Sequence, residues 1–103
     1  MVDQELDDLK REFLSEAQEK VREMQTALDG GRNHDSLQRL GYLAHQLKGS
    51  GGSYGYQRIS ADAAEIEKAV EGVRALDPRV EAKIKEQIGD LRSEIDRRAR
   101  ELT

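Results

Sequence analysis

The chain has 103 residues with a single proline and no cysteine, which fits one domain and excludes disulfides, thiolate zinc sites and cysteine nucleophiles. Apolar residues make up 36%, charged residues 37% and aromatic residues 4% of the sequence, a composition that favours amphipathic helices around a slender aliphatic core. The net charge of -4, the short apolar runs and the lack of a signal-peptide pattern predict a soluble cytoplasmic domain over residues 1–103, with no nucleic-acid or membrane partner.

The first predicted helix runs from about Asp3 to Leu28. Its apolar residues recur every three or four positions, the period of a helix with one buried face. The residues of this face are Leu6, Leu9, Phe13, Ala17, Val21, Met24 and Leu28. Gly30 and Gly31 are expected to end the helix.

The second predicted helix follows a capping-box pattern, in which Asp35 is followed three residues later by Gln38. Asn33 is a rival cap. The helix is expected to end at a glycine-rich break over residues 51–55. Its buried face consists of Leu37, Leu40, Ala44 and Leu47.

Two further helices complete the chain. The buried face of the third consists of Ile59, Ala63, Ile66, Val70 and Val73. Asp77-Pro78 then predicts a new start, because aspartate caps free amides and proline is tolerated at the first helical position. The buried face of the fourth consists of Val80, Ile84, Ile88, Leu91 and Ile95. Short connections between long helices favour antiparallel neighbours, so we predict an all-α, up-down-up-down four-helix bundle.

His45 is predicted to lie on the exposed side of the second helix. At about 100° per residue, it stands roughly 120° from the middle of the buried face. Gly41 and Gly49 lie within about 40° of His45, and Gly52, if helical, within about 20°. Each helical glycine costs about 0.5 to 1 kcal/mol relative to alanine, so a compensating role is expected. These glycines either admit a partner to the imidazole or let a neighbouring helix pack closely, and the exposed position favours access.

Several polar side chains share this exposed side. Lys48 lies about 60° from His45, and its flexible ammonium can reach an anion bound to the imidazole. The candidates for docking contacts are Gln38, Arg39, Gly41, Tyr42 and Gly52. An exposed imidazole is largely neutral near neutral pH and keeps a lone pair on one nitrogen, so it can act as a nucleophile.

The segment HQLKGS at residues 45–50, with Gly55 after it, resembles the H-x-L-K-G-[SA] signature of histidine phosphotransfer domains. The following stretch, GYQRISADAAEIE at residues 55–67, is similar to the third helix of that family. The chain also resembles the phosphotransfer domain of chemotaxis kinases, although that relative normally has an extra helix. The resemblance covers nearly all the chain and implies the four-helix bundle already predicted from periodicity.

The resemblance implies that the protein is a phosphorelay intermediate without kinase activity of its own. His45 would accept a phosphoryl group on Nε2 from a kinase or a receiver-domain aspartate and pass it to a response-regulator aspartate. Lys48 would neutralise the phosphoryl group, and Gly49 would leave room for the partner. The implied partners are receiver domains and a histidine kinase or hybrid kinase. We expect a monomer with no metal or cofactor of its own, since a receiver carries Mg²⁺.

Other kinds of site find less support in the sequence. His34 and His45 are about 16 Å apart along a helix, too far to share one metal ion. The run GSGGSYG at residues 49–55 lacks the Gly-Lys-Ser/Thr that completes a phosphate-binding loop. The acidic residues of the third helix are expected to be solvated: Asp62, Glu65 and Glu67. The alternative function is a noncatalytic four-helix protein-interaction module, in which His45 would be incidental.

Overall fold

The computed structural model describes residues 2–30, 34–73 and 76–102, and within these ranges the chain is helical, with short turns and no strand. In chain order the helices are α1 (Val2–Gly30), α2 (His34–Ser53), α3 (Gln57–Val70) and α4 (Pro78–Glu101). The predicted all-α class is therefore confirmed. No described helix combines the length and the apolar character that crossing a membrane requires.

The four helices form a bundle in which α1 and α3 each adjoin both α2 and α4. The guanidinium of Arg11, early in α1, donates to the carbonyl of Leu102, just past the end of α4, at 2.9 and 3.1 Å. The hydroxyl of Ser60, early in α3, donates to the carbonyl of Lys48, late in α2, at 2.8 Å. In both pairs the beginning of one helix lies beside the end of the other, as expected for antiparallel neighbours.

The core is the apolar stripe that the periodicity predicts. Predicted core residues that are buried are Phe13, Ala17, Val21, Met24, Leu28, Leu37, Leu40, Ala44, Leu47, Ile59, Ala63, Ile66, Val70, Ile84, Ile88, Leu91 and Ile95. Val73 and Val80 are partly buried and pack against this core. Leu14 and Leu43 are buried as well, so the buried faces of α1 and α2 are wider than predicted.

The prediction that Leu6 and Leu9 are buried is wrong, because their exposed fractions are 44% and 49%. At the end of α4, the Leu102 carbonyl accepts hydrogen bonds from Arg11. Leu6 and Leu9 precede Arg11 in α1 and so lie nearer the end of the bundle. The apolar period continues through them, although both side chains stay exposed.

Two predicted helix boundaries differ from the structure. α1 includes Gly30, and Gly31 lies outside the described residues. The prediction of Asp35 as the cap of α2 is wrong, since α2 begins at His34 and Asp35 stands inside the first turn. There its carboxylate still opposes the positive end of the helix dipole. The rival cap, Asn33, lies outside the described residues.

The predicted break after α2 begins later than expected. Gly51 and Gly52 are helical, and the helix continues to Ser53. The reversal occurs at Gly55, whose φ of 82° lies in the left-handed region that favours glycine. Because α2 keeps its geometry past Gly49, the whole HQLKGS segment lies on a regular helix.

The start of α4 agrees with the prediction. The Asp77 carboxylate accepts hydrogen bonds of 2.9 Å from the amides of Arg79 and Val80, and Pro78 occupies the first helical position. This cap satisfies two of the amides that lack a helical partner.

Candidate functional site

His45 lies in the middle of α2 and is exposed, as predicted, with 64% of its side chain accessible. Its Nδ1 atom lies 2.7 Å from Oε2 of Glu67 on α3. A carboxylate only accepts hydrogen bonds, so Nδ1 carries the proton and donates it. In the neutral imidazole this leaves the lone pair on Nε2, the nitrogen that makes no bond to Glu67.

Glu67 joins His45 to Lys48. Its second oxygen, Oε1, lies 2.8 Å from the Lys48 ammonium, so each oxygen of the carboxylate binds one side chain of α2. The hydrogen bond from Lys48, reinforced by that from His45, holds the pKa of Glu67 below its ordinary value against the opposing effect of burial. The carboxylate therefore stays ionised at neutral pH and offers a fixed negative charge to the imidazole.

The prediction that Glu67 is simply a solvated residue of α3 is wrong. By the helical count Glu67 lies about 70° from the middle of the buried face of α3, at its edge, whereas Glu65 lies about 130° away. Asp62 occupies the opposite edge, where it is largely covered and pairs with Arg58 at 3.2 Å. Glu65 is exposed, as predicted. The count could have identified Glu67 as a boundary residue, but only the packing of α2 on α3 shows which residues it meets.

The glycines around His45 differ in their surroundings. At Gly49, a Cβ would have no atom of the described residues within 4 Å beyond its own helix backbone and chain neighbours, so this side of the imidazole is open. At Gly41 a Cβ would lie 3.2 Å from Val70, and at Gly52 it would lie 3.6 Å from the Ser60 hydroxyl. The access interpretation therefore fits Gly49, whereas Gly41 and Gly52 face α3.

The remaining docking candidates surround the imidazole without contacting it. Tyr42 is 52% exposed, and its hydroxyl accepts a hydrogen bond of 2.9 Å from Gln46. The Arg39 guanidinium lies 5.6 Å from the centre of the Tyr42 ring and binds Glu23 of α1 at 2.7 Å. Their docking role stays a prediction.

An open groove of about 640 Å³ runs beside His45 between α2 and the end of α3. Gln38 and His34 line it together with the apolar residues Leu37 and Val70. Within the described ranges, no group of three or more histidine, aspartate or glutamate side chains could hold a metal ion.

A family model described as the Hpt domain matches residues 8–97 of the chain. The match includes every residue of the site: His45 and Lys48 on α2, and Glu67 on α3. Comparisons with curated proteins and with solved structures gave no match.

Proposed function

We propose, for a chain that belongs to the Hpt domain family and therefore to the phosphotransfer proteins of two-component signalling, that His45 is the phosphoacceptor of a phosphorelay. Hpt domains in general interact with kinases and receiver domains. In this proposal a phosphoryl group arrives from a histidine kinase or from a receiver aspartate. It then passes from His45 to the aspartate of a response regulator.

The observation that carries the proposal is the hydrogen bond between His45 Nδ1 and Glu67. It fixes the proton on Nδ1 and so presents the lone pair of Nε2 on an exposed helix face. In the transfer, Nε2 attacks the phosphorus of an aspartyl phosphate in line. A P–N bond forms, the P–O bond to the aspartate breaks, and the aspartate leaves as a carboxylate.

The attack makes the imidazole positively charged, because its lone pair becomes a bond to phosphorus while Nδ1 keeps its proton. The adjacent Glu67 carboxylate stabilises this charge, as the carboxylate of a Ser-His-Asp triad stabilises its imidazolium. Reversal of the same steps releases the phosphoryl group to the next aspartate.

Lys48 is proposed to neutralise the phosphoryl oxygens. In the structure its ammonium binds Glu67, and because its side chain is 41% exposed, it can rotate towards a group on Nε2. Phosphoryl transfer depends mainly on positioning and on charge neutralisation. A receiver that carries its own Mg²⁺ would supply the remaining positive charge, so this domain needs no metal of its own.

The test is phosphorylation of His45→Gln by a phosphorylated receiver. Glutamine is polar and fits an exposed helix position, so the helical circular dichroism signal should persist while the acid-labile label on the protein is lost. His34→Gln, on the same helix, is the matched control and should retain wild-type labelling. Labelling of His45→Gln at the wild-type level would refute the assignment and favour an interaction module.

A further inference from the structure

α2 and α3 approach each other closely at two glycines on either side of His45. A Cβ at Gly51 would lie 3.2 Å from the backbone nitrogen of Ser60 and 3.2 Å from a methyl group of Ile59. A Cβ at Gly41 would lie 3.2 Å from a methyl group of Val70. Contacts this short are tighter than nine in ten real Cβ contacts, so a side chain at either position would require the neighbouring atoms of α3 to shift by a few tenths of an ångström.

We infer that Gly41 and Gly51 are positioning residues, which set the separation of α2 and α3 and thereby hold Glu67 against His45 and Lys48. The consequence for transfer rests on the proposed function, whereas the consequence for the hydrogen bond does not.

The two close approaches bracket the site along the helix axis. Gly41 precedes His45 by four residues and Gly51 follows it by six, which corresponds to about 6 and about 9 Å. Between them, the Ser60 hydroxyl donates to the Lys48 carbonyl at 2.8 Å and fastens the two helices together. The spacing of the helices at the site is therefore fixed from both ends.

The hydrogen bond of His45 is sensitive to this spacing. At 2.7 Å, the distance from Nδ1 to Glu67 lies at the short end of the normal range. A displacement of α3 by about 0.5 Å would move the two atoms to the far end of that range, where the bond weakens. The Ser60 contact of Gly51 is with backbone, which side-chain rotation cannot relieve, so Gly51 should be the more sensitive glycine.

The experiment compares Gly51→Ala with Gly89→Ala. Gly89 is an exposed glycine of α4 where a Cβ has no described atom within 4 Å outside its own helix backbone and chain neighbours, so it controls for the helix propensity of alanine. The ¹⁵N chemical shifts of the His45 imidazole report which nitrogen carries the proton, and single-turnover transfer at a saturating phosphorylated receiver reports the rate. In Gly51→Ala, we expect the preference of the His45 proton for Nδ1 to weaken and transfer to slow roughly three- to tenfold. Gly89→Ala should change neither.

The effect of a substitution at Gly41 can be reversed by a second substitution, because the contact of Gly41 is with a side chain, that of Val70. Gly41→Ala should shift the tautomer in the same direction as Gly51→Ala, by less. Combining it with Val70→Ala removes the opposing methyl group and should restore the wild-type shifts. Val70→Ala alone controls for the loss of that methyl from the core.

Wild-type imidazole shifts in both Gly51→Ala and Gly41→Ala would overturn the inference, even if transfer were slower, since the glycines would then act on docking. Altered shifts in these variants, in a protein whose His45 takes up no phosphoryl group, would support the spacing role and refute the proposed function.

Discussion

The two sides of His45 have different surroundings. Towards α3, the imidazole is held by Glu67, and the glycines on that side allow a helix to come close. On the open side, Gly49 leaves space in which a Cβ would contact no described atom outside its own helix backbone and chain neighbours. The α3 side therefore orients the imidazole, and we propose that the open side determines what can reach it. The same residue type, glycine, lies at a close helix contact on one side and beside open space on the other, where we propose that it gives access.

The largest effect is expected on the open side. Gly49→Leu adds a bulky side chain one turn from the imidazole, so a receiver would be held away from Nε2. Because a displacement of about 1 Å costs on the order of a hundredfold in rate, we expect a loss of that size in receiver-mediated transfer. Leucine favours the helix, and its Cβ would have no described atom within 4 Å outside its own helix backbone and chain neighbours, so the melting temperature should not fall.

A small phosphodonor separates access from chemistry in this variant. Phosphoramidate needs no docking surface, and it should phosphorylate Gly49→Leu at nearly the wild-type rate. Gly89→Leu, at an exposed glycine of α4, is the matched control. If the phosphorylation rate of Gly49→Leu fell equally with the receiver and with phosphoramidate, Gly49 would affect the imidazole itself. The distinction between the two sides would then be removed.

The next largest effect is expected from Glu67→Ala, on the α3 side. It removes a charge-assisted hydrogen bond and the charge that balances the imidazolium, so transfer at saturating receiver should slow roughly twentyfold. In contrast to Gly49→Leu, the loss should be the same with phosphoramidate. Glu65→Ala, an exposed residue of the same helix, is the control. A normal saturated rate in Glu67→Ala would show that the contact is structural only.

Lys48→Ala should slow transfer by about tenfold, corresponding to about 1.4 kcal/mol of lost stabilisation of the phosphoryl group in flight. Helix content should barely change. If Lys48 only steers the receiver, the defect would appear in the association rate and would fade with rising ionic strength. Single-turnover transfer at saturating receiver over a range of salt concentrations distinguishes the two, with Lys68→Ala, exposed on α3, as the control.

The sequence predicts the helices and the core well, because both depend on local periodicity. The turn at Asp77-Pro78 was predictable for the same reason, since capping involves residues close in the chain. The exposed Leu6 and Leu9 were not, because their burial depends on how far the neighbouring helix extends. The late end of α2 was missed because packing against α3 keeps Gly51 and Gly52 helical despite their low propensity.

The candidate site was predictable in part. The helical count places His45, Lys48 and Gly49 together because all three lie on one helix. The same count cannot tell which side of α2 will face α3, so it leaves open whether a nearby glycine serves access or packing. Glu67 was missed for this reason, because both of its partners lie on another helix. His45 is 22 residues away from it in the chain.

The smallest expected effect is on the stability of the protein in acid, and it arises from Glu67 on the α3 side. The bonds from Lys48 and His45 lower the pKa of Glu67 from its ordinary value of 4.5, so the folded protein binds this proton less readily than the unfolded chain. The stabilisation is therefore fully present above about pH 4.5 and is lost as the pH falls through the lower pKa of the folded state. Urea midpoints measured between about pH 6 and about pH 3 should fall less steeply for Glu67→Gln than for the wild type. Gly49→Ala, on the open side, is the control and should keep the wild-type dependence of the urea midpoint on pH. The wild-type dependence in Glu67→Gln would show that the bond to Lys48 adds no net stability.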